Sequence, residues 1–125
     1  MLGFLAVALG AFGAHALQGF VAGLDDGALR LSFWETGVRY HAWHALLLLG
    51  IGVLDGRADE RALRVGGYLA IAGVAVFSGS LYAMTLTGVR WLGAITPLGG
   101  LCFLGAWLAL AVAAFCHGRG LRPHT

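Results

Sequence analysis

The run Gly93–Cys116 contains no charged side chain, and that continuity constrains the fold more than any other feature. As a helix it is longer than a bilayer core of roughly 30 Å, at about 1.5 Å per residue. Three other apolar stretches compare with it: Leu2 to about Ala22, Thr36–Leu54 and Leu63–Leu86. In lipid every backbone N–H and C=O must find its partner inside the segment, which selects helices. A transmembrane barrel needs alternating apolar and polar residues, and these runs do not alternate. The chain is 59% hydrophobic and 11% charged, less than half the roughly 25% charge of a soluble domain. The expectation is one all-α integral membrane domain over residues 1–125. Four transmembrane helices, 2–22, 36–54, 63–86 and 93–116, form an up-down bundle, followed by a polar tail 117–125.

The first stretch begins at Met1 without a polar flank. Ala14-His15-Ala16 resembles a signal-peptide cleavage site, but no positively charged region precedes it. Gln18–Trp34 reads as a connector in which Asp25 or Asp26 caps a helix, lying on the membrane surface before the second span. Asp55–Arg61 is a charged turn, and Thr87–Leu92 is a tight one. Arg57, Arg61, Arg64, Arg119 and Arg122 fall on one side, against Arg30 and Arg90 on the other. Arginine enrichment of cytoplasmic loops places both termini in the cytoplasm of a bacterial cell. Trp34, Tyr40, Trp43 and Trp91 then form an outer aromatic belt. There is no basic block, so nucleic acid is not an expected partner. The cysteines, Cys102 and Cys116, are about 21 Å apart along one helix, too far to bond.

Polar residues inside the spans share a depth in the outer half. They are His15 in the first span, Glu35, Arg39, Tyr40, His41 and His44 in the second, Ser78, Ser80, Tyr82 and Thr85 in the third, and Thr96 in the fourth. Ionisable groups in membranes usually face the bundle interior, so they are expected to converge. The proposed binding set is His15, Arg39, His44, Ser80 and Tyr82, with Glu35, Tyr40, His41, Ser78 and Thr96 around it. Glu35 and Arg39 are spaced for an ion pair one turn apart, or Arg39 anchors an anion. His41 and His44 share a face, but two ligands alone make a weak metal site. His15 and His44 suit interhelical hydrogen bonds, or axial haem ligation. Ser78 and Ser80 have no base beside them to make a nucleophile. Trp107 is a packing residue whose N–H needs a partner. Ala6, Gly10 and Ala14 form one small-residue stripe and Gly105, Ala109 and Ala113 another, both suited to close helix packing.

Four motifs in order, Gly10–Leu17 (G-A-F-G-A-H-A-L), Tyr40…His44-Ala45-Leu46, Phe77–Tyr82 (F-S-G-S-L-Y) and Thr96–Gly100 (T-P-L-G-G), resemble the YgdD/YwdK family of small bacterial inner-membrane proteins. The resemblance covers nearly the whole chain. It implies four spans and an inner-membrane location, brings no established activity, and maps two motif histidines onto His15 and His44. Members of that family usually carry more residues ahead of the G-A-F-G motif, so the expected start lies upstream of Met1. The function expected is a non-enzymatic accessory or ligand-binding membrane protein, with no metal, no catalytic residue and no resident cofactor. Its partners are the lipid bilayer and a larger membrane protein or a second copy. The alternatives are a haem- or quinone-binding redox subunit and a proton or small-solute path.

Overall fold

The structure is a computed structural model that describes residues 1–56 and 59–120, the side chains of 116–120 excepted. The chain forms four long helical rods. Helix α1 is Leu2–Val21, with a π-helical turn at Gly13–Leu17; α2 is Gly27–Leu54; α3 is Glu60–Thr87, with a π-helical turn at Val74–Ser78; and α4 is Thr96–Gly120. A 3₁₀ turn, Arg90–Ala94, leads into α4. There is no strand among the described residues. α1, α3 and Arg90–Phe115 are each long and apolar enough to cross a membrane. α2 has 28 residues and carries the charged and imidazole side chains of the chain's middle.

Several boundaries differ from the sequence reading. The expected surface connector does not exist as a separate element. Gln18–Val21 completes α1, and Gly27 already starts α2, which runs unbroken to Leu54. Asp26 occupies the cap position of α2 but makes no capping hydrogen bond, because its carboxylate is engaged by Arg30. The fourth helix continues through Gly120, so residues 117–120 of the expected tail are helical. The remainder of the tail, and Arg57 in the charged turn, lie outside the described residues.

Two glycines end elements by geometry. Gly88 takes φ +75°, a left-handed conformation that closes α3 with its N–H on the Met84 carbonyl. Gly56 takes φ +72° in the turn after α2. Asp59 caps α3 by accepting from the Ala62 N–H at 2.8 Å.

α2 lies between α1 and α3, and α3 packs along α4. Close approaches occur where a helix lacks a side chain. A Cβ on Gly13 would sit 2.5 Å from the Trp34 ring, and one on Gly37 2.8 Å from Tyr82. One on Gly99 would sit 2.7 Å from Phe77 Cβ. Gly66 faces Ala109 and the Ala106 carbonyl, and Ala70, Ala106 and Ala113 are fully buried. The second small-residue stripe therefore packs as expected. In α1 the buried positions are Ala6, Gly13, Leu17 and Val21, and Ala14 is exposed.

Candidate functional site

Buried polar groups occur at five places among the described residues: His41, His44, Ser78, Ser80 and Thr85. Most are used to hold helices together. Ser78 Oγ donates to the Gly37 carbonyl at 2.8 Å, tying α3 to α2. Ser80 Oγ meets Thr96 Oγ1 at 2.7 Å, tying α3 to the start of α4. Each bond sits beside one of the bare-glycine contacts, so the F-S-G-S-L-Y and T-P-L-G-G motifs are crossing points of helices.

His44 is fully satisfied. Its Nδ1 lies 2.7 Å from the Tyr40 carbonyl, which only accepts, so Nδ1 carries the proton. Nε2 is then bare and accepts from Trp107 Nε1 at 3.3 Å. The ring stacks on Phe103 at a centroid distance of 3.5 Å. Trp107 thus has the partner its N–H required. Tyr40 is not a belt residue: its ring packs on Phe77 and Phe103. Trp34 is not one either. It is 3% exposed, donates to the Leu9 carbonyl at 2.9 Å, and fills the space Gly13 leaves. Trp43 and Trp91 do face outward.

His41 is the exception. It is buried, its Nδ1 lies 3.3 Å from Tyr82 Oη, and its Nε2 has no hydrogen-bond partner. Tyr82 in turn packs against Trp34, the rings tilted 48° with centroids 4.6 Å apart.

The expected convergence on His15 does not occur. His15 is exposed, because the buried face of α1 passes through Gly13 and Leu17, and a residue two places from Gly13 points the other way. His15 and His44 are therefore not paired across a shared slot, and the His44 lone pair is engaged by Trp107. Glu35 and Arg39 do not form the expected ion pair either; both are exposed. Among the described residues the ion pairs are Arg30–Asp26 at 2.8 Å and Arg90–Asp26 at 3.4 Å. No group of three or more His, Cys, Asp or Glu is placed to hold a metal among them.

These ion pairs belong to a clasp that the sequence reading missed. Arg30 bonds Asp26 through Nε and the Thr85 carbonyl through Nη1 at 3.3 Å, while Thr85 Oγ1 donates back to the Arg30 carbonyl at 2.9 Å. Gly88 leaves room for the guanidinium. The Arg30 hydrogen bond holds the Asp26 carboxyl below its ordinary value of 3.8; desolvation pushes it up by less, and Arg90 adds a further lowering contact. The i, i+4 spacing of Asp26 and Arg30 was the available signal.

The open feature of the surface is a groove along the α1–α2 seam. Its wide part, about 1000 Å³, is apolar and runs between Phe4, Val7 and Ala11 on α1 and Ala42, Ala45 and Leu49 on α2. A smaller recess of about 270 Å³ continues it toward the turn end, lined by Gly13, Ala14, Gln18, Trp34, Glu35 and Arg39. The two meet at Gly10 and Val38, which line both. Of the five residues first proposed as a binding set, Arg39 alone lines it. A second recess of about 500 Å³ between α2 and α4 is aromatic, without a charged group in its wall.

Buried polar contacts that only join helices, with broad apolar surfaces outside, define an all-helical membrane protein. Residues 9–100 match the family model described as "Protein of unknown function (DUF423)", and the chain belongs to that family. It is 46% identical over 111 residues to the UPF0382 membrane protein YwdK of Bacillus subtilis, covering 88% of this chain and 86% of that one. It is 45% identical over 111 residues to the UPF0382 membrane protein SH2409 of Staphylococcus haemolyticus, covering 89% and 86%. No solved structure matches.

Proposed function

We propose that this is a non-enzymatic accessory protein of the bacterial cytoplasmic membrane, with four spans and both termini cytoplasmic, that holds a lipid-like amphiphile in the α1–α2 groove. One observation carries the reading: Glu35 and Arg39, both exposed, stand at the head of a long apolar groove. Charged side chains at the edge of the hydrocarbon core meet the headgroup layer, and an amphiphile supplies both the head and the tail that the groove requires. The α2 helix has the length to cross, and its imidazoles are turned inward, which supports it as the fourth span. Arg61 and Arg64 at the α2–α3 turn support a cytoplasmic placement of that end.

Two measurements test this. Cysteine accessibility should place position 60, exposed at the start of α3, on the cytoplasmic side and position 89, exposed after its end, on the outer side; the reverse pattern overturns the topology. A photoreactive residue at Ala45 should cross-link a lipid that survives purification, whereas one at Ala75, exposed on α3, should not. Equal lipid capture at both positions, or capture of protein alone at Ala45, refutes the groove as a lipid site.

A further inference from the structure

We infer that the groove selects a zwitterionic phospholipid with a primary ammonium, its phosphate on Arg39 and its ammonium on Glu35. The inference builds on the reading of the groove as a lipid site and names the ligand. Its first support is length. From Arg39 to Leu49, α2 rises about 15 Å, half of a hydrocarbon core of roughly 30 Å. The apolar part of the groove is therefore as long as an acyl chain in one leaflet.

Depth is the second. With Leu54 at one edge of the core, a rise of about 1.5 Å per residue puts Glu35 close to the other edge. Arg39 is one turn deeper, within reach of the headgroup layer through its flexible stem. A lipid with its chain along Ala42–Leu49 brings its phosphodiester to this level.

Charge is the third. Glu35 and Arg39 are one turn apart beside the same recess, and neither is in an ion pair with a described residue. A purely anionic headgroup would pair with Arg39 while setting its phosphate against Glu35. A headgroup with one phosphate and one ammonium answers both charges, and the Gln18 amide at the rim adds a neutral donor to the phosphate. A primary ammonium also donates hydrogen bonds to the Glu35 carboxylate, which a quaternary one cannot. The α2–α4 recess has no charged wall and so has no means of choosing a headgroup.

The experiment uses the full chain in mild detergent with equal amounts of phosphatidylethanolamine, phosphatidylglycerol and phosphatidylcholine, read by native mass spectrometry. One phosphatidylethanolamine should be retained about tenfold over the others, the equivalent of one charged contact. Glu35→Gln should bring phosphatidylethanolamine and phosphatidylglycerol to near parity. Arg39→Gln should lose all three, and Arg39→Lys should restore part of the retention. Both side chains are exposed, so an unchanged circular dichroism spectrum serves as the folding control. Retention of one lipid without headgroup preference, or a Glu35→Gln variant with an unchanged ratio, overturns the inference and leaves the lipid site standing. A wild-type chain that retains no lipid, or a dimer with an empty groove, overturns both.

Discussion

Gly99→Ala is the sharpest test of how the bundle is held. The added methyl would sit 2.7 Å from Phe77 Cβ and 2.8 Å from Phe77 Cα, where ordinary contact begins at 3.4 Å. The obstacle is mainly the backbone of α3, which cannot swing aside as a side chain would. The two helices must therefore separate by roughly 0.6 Å or more at this crossing. Overpacking of this kind costs about 1–3 kcal/mol. Separation also stretches the Ser80–Thr96 bond, 2.7 Å long and three residues from the crossing on the sequence of α3, an interaction of about 0.6 kcal/mol in membrane proteins. Together they predict a loss of about 2–4 kcal/mol. The control is Gly79→Ala in the same F-S-G-S motif. There a Cβ meets nothing within 4 Å, and the exchange should gain up to about 1 kcal/mol of helix propensity. The assay is unfolding of the purified protein by titration with sodium dodecyl sulfate, followed by circular dichroism. Equal midpoints for the two variants, or a Gly99→Ala midpoint at or above wild type, would refute the reasoning.

Three further outcomes follow from the polar groups. His41→Leu combined with Tyr82→Phe should be about 1 kcal/mol more stable than Tyr82→Phe alone, because it removes a buried nitrogen with no partner while the hydroxyl that met Nδ1 is absent from both; a lower unfolding midpoint for the double variant would count against that. Trp107→Phe should cost about 0.6–1.7 kcal/mol by leaving the His44 lone pair unmet, and a neutral result would show that the bond contributes nothing. The Asp26 carboxyl has a folded pKa below its ordinary value of 3.8. Its contribution is therefore complete above that value and is lost as pH falls through the lowered folded pKa. Wild type should lose stability more steeply than Asp26→Asn on acidification below about pH 4, and parallel curves would remove the clasp from the account.

Depth was legible in the sequence, and direction around each helix was not. The fixed rise per residue correctly set Ser80 level with Thr96. Direction failed at His15 and at Trp34. In a membrane bundle the lipid-facing and core-facing sides are both apolar, so hydrophobic periodicity cannot tell them apart. Small residues mark the core side where a facing helix comes close, through a large side chain as Trp34 at Gly13 or through another small one as Ala109 at Gly66. The Glu35–Arg39 spacing was right for an ion pair, yet among the described residues both ion pairs are on Asp26 at the turn. The partners of His44 were half legible: Trp107 was expected to need an acceptor, but nothing in the spacing named which.

The π-helical turn Val74–Ser78 gives α3 a change of phase. Ahead of it, Leu63, Gly66, Ala70 and Gly73 are buried; behind it, the buried positions include Leu81 and Thr85. Val74 and Ser78 are both buried within the turn, and because a π-helical turn closes on i→i+5 hydrogen bonds it holds one residue more than an α-helical one, absorbed without breaking the rod. A deletion of a single residue there would leave α3 a regular helix and rotate everything beyond it by about 100°. Ser78 would lose the Gly37 carbonyl and Thr85 would leave the clasp. In this helix, reading frame within the fold is kept by an irregularity.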